Sequence, residues 1–301
     1  MNMPDRSVVD RIRHLPIWTS NIKMRTLKGG LSNESLMVDD DGLRYVVRIG
    51  SDYPFHHVFR DRELMTARAA ADAGFAPEIL YSEPGLTVTA FIEGVTFDEA
   101  AVRDNHERIA QLIRRFHEKM PHFVSGPGFM FWPFHVIRDY ARTLDNARAA
   151  DSDRLRRYLK LADELEAAQI PLPIVFGHND LLPANFIDDG KKLWLIDYEY
   201  AGFSTAMFDL AGIASNALFG EEQDEALLRG YYGGKPNEAA LRSHAAMKCA
   251  SLLRETMWAM ISELHLKTPG VDFAAYTAEN RARLNAALES YGSRFGKVQA
   301  L

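Results

Sequence analysis

Residues 175–212 read VFGHNDLLPANFIDDGKKLWLIDYEYAGFSTAMFDLAG, in which polar residues with catalytic potential follow short apolar runs. The pattern H-x-D-x-x-x-x-N contains Asp180 and Asn185, and Asp197 follows at the end of the next apolar run. Phosphoryl transfer from a nucleotide requires a carboxylate that takes or orients the acceptor proton, and oxygen ligands that hold Mg²⁺ between phosphates. The residue types and their order therefore predict a kinase-type site with Asp180 as catalytic base and Asn185 and Asp197 as metal ligands.

The residues around this pattern predict two strands. Segments 174–176 and 193–196 are apolar, with β-branched and aromatic residues, and segment 188–190 between them is the turn sequence DDG. A tight connection between two strands can bring Asn185 and Asp197 to one edge, which makes a shared metal ion possible. For each residue alone the alternative is an ordinary turn or cap role, since Asp and Asn are common at such positions.

The segments HNDLLPAN, LIDYEYAG and FDLAG resemble the choline/ethanolamine kinase family, and bacterial LicA-like choline kinases in general. That family belongs to the wider aminoglycoside phosphotransferase-like and protein-kinase-like group. The resemblance implies an α+β, two-lobed protein-kinase-like fold, with a small antiparallel-sheet lobe at residues 1–93 and a larger, mainly helical lobe at residues 94–301. It also implies ATP as co-substrate and Mg²⁺ as cofactor, bound between the lobes.

The bulk composition narrows the class of protein. The 301 residues carry 35 basic and 41 acidic side chains, a net charge of −6, which argues against nucleic acid or an anionic membrane as a partner. The single cysteine, Cys249, predicts a reducing compartment. The N-terminal residues lack the apolar core of a signal peptide, and no apolar run approaches the roughly 18 residues of a membrane span. We expect a soluble, cytoplasmic protein.

The first fifty residues predict an antiparallel sheet. Segments 23–27, 34–38 and 44–49 read as strands, and an acidic cluster ending in Asp-Gly separates the second from the third. The glycine-rich turn between the first two strands offers backbone donors that can form an anion nest, although Gly-Gly in a hairpin is more often only a turn. This turn resembles the GG-x-x-N segment of choline kinases, which implies a nucleotide-covering loop formed by Gly29, Gly30, Ser32 and Asn33.

Two further nucleotide contacts follow in the same region. Arg48 lies on the third strand, where protein kinases have Lys and where Arg resembles the choline kinase version. Its planar fork can contact phosphates while it pairs with a carboxylate, and Glu63 in the helical segment 60–73 is the partner we favour. The sequence leaves this pairing open, because a charged residue on an alternating strand usually faces solvent. By resemblance, the backbone near Phe91 and Ile92 is the hinge that binds adenine.

After Gly94 the sequence becomes helical. The spacing of apolar residues predicts helices over six segments, namely 97–120, 140–165, 207–218, 222–232, 238–265 and 273–295. The resemblance implies that Asp209 braces the catalytic loop through its backbone. His117 is interpreted as a structural histidine whose hydrogen bonds are satisfied.

The acceptor is the least determined part of the site. A quaternary ammonium group is recognised by aromatic faces and nearby carboxylates. The resemblance assigns this role to Tyr200, Trp258 and Tyr276, each of which can instead be core or rim packing. Glu199 adds negative charge or supports the loop. The predicted acceptor-binding residues are thus Glu199, Tyr200, Trp258 and Tyr276.

The chain departs from animal choline kinases at three acceptor-side positions. Glu255 stands where those kinases have a second Trp, Asn216 where they have Glu, and Leu182 where they have Gln. By the resemblance, choline is nevertheless the first expected acceptor and ethanolamine the second. An aminoglycoside or other small-molecule phosphotransferase remains an alternative, as does a non-catalytic pseudokinase that acts as a binding module.

Overall fold

The structure is a computed structural model that describes residues 6–27, 33–268 and 270–298. The chain divides into two compact units. The first unit comprises residues 1–96, 122–125 and 184–199, and the second comprises residues 97–121, 126–183 and 200–301. The assignment of separate functions to residues 1–93 and 94–301 stays a prediction.

The first unit is built around an antiparallel sheet. The sheet has the strand order β1-β2-β3-β5-β4 among the described residues. Numbered in chain order, the strands are β1 (Lys23–Thr26), β2 (Glu34–Asp40), β3 (Leu43–Ile49), β4 (Ile79–Glu83) and β5 (Leu86–Ala90). Buried side chains of Leu36, Val38, Val47, Leu86 and Val88 form its core together with Ile12 of helix α1 (Arg6–Arg13).

The turn between β2 and β3 has the geometry that its sequence predicts. Asp40 pairs with Leu43, so the loop consists of Asp41 and Gly42, and both residues have positive φ angles, 53° and 89°. Two consecutive positive φ angles are typical of a type I′ turn, whose twist matches that of the flanking strands. The predicted hairpin is therefore confirmed.

The first unit also contains helix α2 (Arg60–Asp72) and a second, smaller sheet. The strands of this sheet are β6 (Val95–Thr96), β8 (Phe186–Asp188) and β9 (Leu193–Leu195), in the order β6-β8-β9. Segment 184–199 thus belongs by its contacts to the same unit as the first ninety-six residues.

The second unit is mainly helical. Its helices are α3 (Glu99–Asp104), α4 (His106–Lys119), α5 (Pro133–Asn146), α6 (Ser152–Ala167), α7 (Ala206–Asn216), α8 (Glu221–Tyr232), α9 (Glu238–His265) and α10 (Phe273–Phe295), and its strands β7 (Ile174–Gly177) and β10 (Gly202–Thr205) pair antiparallel. Helix α9 packs against α5, α6, α7 and α10, which explains why it is apolar on most of its circumference.

Two of the predicted helices are wrong as single helices. Segment 97–120 is broken at Asn105, whose φ of −110° and ψ of 17° are not helical and whose side chain donates to the carbonyl of Ala101. An Asn side chain that bonds a nearby carbonyl competes with helix continuation. Segment 140–165 is broken by residues 147–151, where Arg148 has a φ of 51° and Asp151 begins α6 as its N-cap.

The remaining helices begin and end close to the predicted residues, and the α+β class is confirmed. Across the described ranges, no helix combines the length and the apolar character that a bilayer span requires.

Candidate active site

The predicted metal ligands lie at one end of a hairpin in the first unit. Strand β8 pairs with β9 so that Phe186 faces Leu195, and the Ile196 N–H donates to the Asn185 carbonyl at 3.1 Å. Asn185 precedes the first strand and Asp197 follows the second, so the pairing brings both residues to the open end of the hairpin. The sequence separated them by a dozen residues, and the register makes them neighbours.

The opposite end of this hairpin is fixed by Asp189. Its carboxylate accepts the N–H groups of Lys191 and Lys192, each at 2.8 Å, and the indole N–H of Trp194 at 2.8 Å. The backbone bond from Lys192 and the bond from Trp194 lower the pKa of Asp189 to about 2. A turn held in this way sets the register that places Asn185 beside Asp197.

A cavity of about 590 Å³ lies within the first unit. Its volume is in the range of small-molecule sites. Among its lining residues are the described residues that the sequence assigns to the nucleotide and the metal, which are Asn33, Arg48, Glu63, Phe91, Ile92, Asn185 and Asp197. The other predicted members of the nucleotide loop, Gly29, Gly30 and Ser32, lie outside the described residues.

Arg48 is the centre of a charge cluster in this cavity. Its guanidinium lies 3.3 Å from Glu63 Oε1 and 3.5 Å from Glu199 Oε2, and it donates to Asp197 Oδ1. Burial alone would lower the pKa of Arg48, but the carboxylates of Asp197, Glu63 and Glu199 reverse this and raise it. The Arg48–Glu63 pair that the sequence left open is present.

Arg60 is a second cation in the cluster that the sequence analysis missed. It pairs with Glu63 on the same helix and lies 3.1 Å from Glu199 Oε2. Its guanidinium also lies 5.5 Å from the centre of the Tyr53 ring. The spacing of Arg60 and Glu63, three residues apart on a predicted helix, is the signal that would have placed them on one face.

Glu199 is the predicted acceptor residue whose contacts lie in the first unit. It accepts from the Asn33 amide at 3.0 Å and from Arg60, and only about 5% of its side chain is exposed. Burial raises the pKa of its carboxyl, Asp197 adds to the rise, and Arg48 and Arg60 oppose it in part. The acceptor role of Glu199 stays a prediction, and its neighbours place it in the charge cluster around Arg48.

The donor set at the hairpin end fits Mg²⁺. Carboxylate and amide oxygens are the protein ligands that this ion prefers, and it usually takes one or two of them while phosphate oxygens and water complete the shell. Asn185 and Asp197 supply one amide and one carboxylate to the cavity. Among the described residues, no group of three or more His, Cys, Asp or Glu side chains is arranged as a complete metal site.

Asp180 lies in the second unit, on the loop that follows β7. The two residues before it are held by Asp209 of α7, which accepts the His178 N–H at 2.8 Å and the Asn179 N–H at 2.7 Å. Asn179 has a φ of 63°, and its side chain donates to the carbonyls of Tyr200 and Gly202, both at 3.1 Å. A left-handed Asn that is bonded on both sides fixes the direction in which the chain reaches Asp180.

Asp209 is in turn held by His117. His117 Nε2 lies 2.8 Å from Asp209 Oδ2, and His117 Nδ1 lies 2.7 Å from the Tyr231 hydroxyl. Burial would raise the pKa of the Asp209 carboxyl, but its bonds and charge interactions with His117 and His178 lower it below the ordinary value. Asp209 therefore braces the loop as an ionised group, as the resemblance implied, and His117 is satisfied and buried.

The three predicted acceptor aromatics come together in the second unit. The Trp258 indole N–H donates to the Tyr200 hydroxyl at 2.8 Å, and the Trp258 and Tyr276 rings meet edge to face with centroids 6.2 Å apart. The Tyr276 hydroxyl donates to Glu255 Oε1 at 2.8 Å. The negative charge of Glu255 is the main cause that raises the pKa of Tyr276, and burial is the second. The group thus presents aromatic rings beside one carboxylate.

Arg254 is a further residue that the sequence analysis missed. It is 5% exposed, and its guanidinium lies 3.9 Å from Asp180 Oδ1, 3.1 Å from Glu255 Oε2 and 5.5 Å from the centre of the Tyr200 ring. The only signal in the sequence was a charged residue within an apolar helix, and such a residue is usually paired when it is buried.

The chain matches a family model described as choline/ethanolamine kinase over residues 24–219. Protein LicA of Haemophilus influenzae is 25% identical over 274 residues, which cover 87% of this chain and 78% of that protein. A probable ethanolamine kinase of Arabidopsis thaliana is 25% identical over 282 residues, which cover 80% of this chain and 73% of that protein.

A solved structure shows the same fold. The crystal structure of a choline/ethanolamine kinase family protein from Mesorhizobium loti has a TM-score of 0.76 and 29% sequence identity to this chain, and the match covers 94% of both chains. The predicted protein-kinase-like α+β fold is confirmed by this similarity.

Proposed function

The chain belongs to the choline/ethanolamine kinase family, and from this premise we propose that it transfers the γ-phosphoryl group of ATP, with Mg²⁺, to the hydroxyl of choline or a closely similar amino alcohol. Members of the family are small-molecule alcohol kinases. The choice of acceptor and the roles of individual residues are the parts that this proposal adds.

One observation carries the proposal. Arg48, Asn185 and Asp197 come from distant parts of the sequence and line a single cavity of about 590 Å³ in the first unit. A guanidinium, an amide and a carboxylate are the groups that hold the phosphates and metal of a bound nucleotide. A binding module without catalysis has no chemical requirement for this set together with a braced Asp180.

The proposed reaction assigns the proton transfer to Asp180. The acceptor hydroxyl donates to the Asp180 carboxylate, which takes its proton as the oxygen forms a bond to the γ-phosphorus. The bond from that phosphorus to the bridging oxygen of ADP breaks, and ADP leaves with the electron pair. Asp209 holds the backbone before Asp180, so the carboxylate is oriented before the acceptor binds.

Asn185 and Asp197 would hold Mg²⁺, which when bound neutralises charge on the nucleotide phosphates. Arg48 donates to the phosphates, while Glu63 and Glu199 keep its guanidinium in place. The predicted hinge residues Phe91 and Ile92 line the same cavity and are proposed to contact the adenine. The N–H of Phe91 already donates to the Arg44 carbonyl at 3.1 Å, so the adenine contact falls to the other groups of this segment.

Choline is the first proposed acceptor, because Tyr200, Trp258 and Tyr276 offer aromatic rings to a cation. Ethanolamine is a second candidate that a specific observation favours. The Glu255 carboxylate lies beside Tyr276, and a carboxylate can accept hydrogen bonds from a primary ammonium group but not from a quaternary one.

The test is a panel of choline, ethanolamine, thiamine, methylthioribose and aminoglycosides with Mg-ATP, read by coupled ADP release and by mass spectrometry of the phosphorylated product. We expect choline or ethanolamine to give the highest kcat/KM. Asp180→Asn should lower kcat by about 10²- to 10⁴-fold while the far-ultraviolet circular dichroism spectrum stays unchanged. A wild-type protein that phosphorylates an aminoglycoside better than either amino alcohol contradicts the acceptor, and full activity of Asp180→Asn contradicts the assigned base.

A further inference from the structure

The catalytic loop itself supplies no positive charge. Between Asp180 and Asn185 the sequence is Leu-Leu-Pro-Ala, and none of these side chains can donate a hydrogen bond. Negative charge spreads over the oxygens of a phosphoryl group in transfer, and kinases and related enzymes place cations against it. Any cation placed against the phosphoryl group near Asp180 must therefore come from another part of the chain.

Arg254 is such a cation. It lies on α9 three residues after Ser251 and four before Trp258, so these three side chains share the face that is buried in the second unit. The Ser251 hydroxyl lies 3.5 Å from the hydroxyl of Ser215 on α7, and the Trp258 indole is bonded to Tyr200. Contacts on either side of Arg254 thus fix the helix that carries the guanidinium toward Asp180.

The guanidinium is held in place and retains donor capacity. Its Nη1 lies 3.1 Å from Glu255 Oε2, whereas its Nη2 is 3.9 Å from Asp180 Oδ1, which is beyond hydrogen-bond length. Its Nε is buried and has no hydrogen-bond partner among the described residues. Buried donors in a purely structural ion pair are normally satisfied, so the unpaired Nε of Arg254 requires another explanation.

The geometry of phosphoryl transfer explains why Arg254 has an unused donor. An acceptor oxygen that gives its proton to Asp180 lies about 2.6–3.2 Å from the carboxylate. The γ-phosphorus lies about 3–3.5 Å from the acceptor oxygen that attacks it, so the phosphoryl oxygens pass within reach of a guanidinium placed beside Asp180. We propose that Arg254 is a catalytic residue that donates hydrogen bonds to the phosphoryl group as it passes to the acceptor.

This inference rests on the proposed function and deepens it. Arg254 neither gains nor loses a proton in the step. The proton of the hydroxyl still goes to Asp180, the new phosphorus–oxygen bond forms to the acceptor, and ADP still leaves with the electron pair. The competing explanation is that Arg254 only neutralises and orients Asp180 and Glu255, and this explanation predicts different kinetics.

The experiment compares R254M, R254K and R254A with the wild-type protein. We expect kcat of R254M to fall about 10²- to 10³-fold, as for the loss of one donor to a developing charge, with a smaller change in KM for either substrate. R254K should recover part of this loss. Guanidinium ion at millimolar, non-denaturing concentration should raise the kcat of R254A, and methylammonium should raise it less, because only the planar fork matches the phosphoryl oxygens.

Controls separate catalysis from folding. R242M removes an exposed arginine from the same helix, where its guanidinium is bonded to the Tyr291 hydroxyl, and should leave kcat unchanged. The thiol of Cys249, buried five residues before Arg254 on α9, should stay protected from thiol reagents in every variant used for kinetics. R254K and the guanidinium rescue keep the test open if R254M does not fold.

Two results overturn the inference. One is a kcat of R254M within about fivefold of wild type, since a lost donor to the phosphoryl group should cost more. The other is a loss of kcat that recovers fully at high pH, which would show that Arg254 acts only through the ionisation of Asp180.

A separate measurement distinguishes failure of the proposed function from failure of the Arg254 role. Release of ADP to water, without any acceptor, is measured for the same variants. If the wild type transfers to water but to no amino alcohol, the acceptor assignment fails, and a lower rate of water transfer in R254M still supports Arg254. Equal ADP release from wild type and R254M overturns the Arg254 role, and a wild type that releases no ADP overturns both proposals.

Discussion

Asp209 and Asn179 are joined by a hydrogen bond of 2.7 Å, in which the backbone N–H of Asn179 donates to the buried Asp209 carboxylate. The other oxygen of the carboxylate accepts the neighbouring N–H of His178. A single side chain on α7 thus satisfies two buried backbone donors immediately before Asp180. The orientation of the proposed base depends on a residue twenty-nine positions later in the sequence.

Replacement of Asp209 should damage both stability and turnover. Asp209→Ala leaves two buried N–H groups and His117 without their acceptor, and we expect the free energy of unfolding to fall by about 3–5 kcal/mol. Asp209→Asn should also destabilise the protein, because the NH₂ group of the amide would face the backbone N–H of either His178 or Asn179. The displaced loop should lower kcat by about 10²-fold, measured on protein that is still folded by circular dichroism. Asp163→Asn, at an exposed Asp of the same unit, is the matched control, and an equal effect of the two Asn variants would contradict the bracing role.

The same carboxylate should contribute to acid sensitivity. The pKa of Asp209 in the folded protein is lowered, so its contribution is fully present above the pKa of about 3.9 of an unfolded Asp. It is lost as the pH falls through the lower folded-state value. Urea unfolding between neutral pH and pH of about 3 should show the wild type and Asp209→Ala converging in stability below pH of about 4. A stability gap that widens over this interval would reverse the sign of the argument.

The hairpin end should control the metal requirement. Asp197→Asn and Asn185→Ala each remove an oxygen ligand from the proposed Mg²⁺ site, so half-maximal activity should need a higher Mg²⁺ concentration, by about tenfold or more. The measurement is a Mg²⁺ titration at fixed ATP. Asp189→Asn, at the other end of the same hairpin, keeps one side-chain oxygen for the N–H groups of Lys191 and Lys192, so the register and this requirement should stay unchanged. An unchanged Mg²⁺ titration for both ligand variants would remove these residues from the metal site.

Arg48 and Glu63 should act on the nucleotide as a unit. Arg48→Met removes the proposed phosphate contact, and Glu63→Gln releases the guanidinium from one of its partners, so each change should raise KM for ATP more than KM for the acceptor. Because the two residues are in contact, the double variant should lose less than the sum of the single losses. Steady-state kinetics of all four proteins give this coupling. Arg25→Met, on exposed β1, serves as the control, and strictly additive losses would argue against coupling through the pair.

Trp258 should affect the acceptor rather than the nucleotide. Trp258→Phe keeps an aromatic face but loses the donor to the Tyr200 hydroxyl, and Trp258→Ala loses both. We expect KM for choline to rise in the order wild type, Phe, Ala, with KM for ATP nearly constant, because a cation is held by the ring face. Trp132→Phe removes a comparable indole bond, to Glu166, elsewhere in the same unit. A parallel rise in both KM values would instead indicate a general loss of packing.

Much of the fold follows from local patterns. The Asp-Gly turn fixes the β2–β3 hairpin because two residues with positive φ are required there, and the apolar periodicity of 238–265 and 273–295 gives the full lengths of α9 and α10. The breaks at Asn105 and Arg148 were not predicted. They depend on local hydrogen bonds and backbone angles that compete with a continuous helical pattern.

The candidate site also contains residues that the sequence indicates and residues that only the packing of helices places. Asp180, Asn185 and Asp197 are recognisable because phosphoryl transfer demands those residue types in that order. Arg60 and Arg254 carried no comparable signal, since a single arginine in a helical pattern is normally solvated. Only the packing of their helices places them against Glu199 and Asp180.

The sequence alone determined the family and the reaction class, and it predicted which residues act on the proton and the metal. These follow from short-range spacing and residue chemistry, which do not depend on long-range contacts. The tertiary structure decided how these residues are held and charged. The strand register brings Asn185 close to Asp197. Helix α7 places Asp209 against the backbone before Asp180, and α9 places Arg254 beside Asp180. Tertiary structure decides these positions because buried charges are stable only where distant parts of the chain supply their partners.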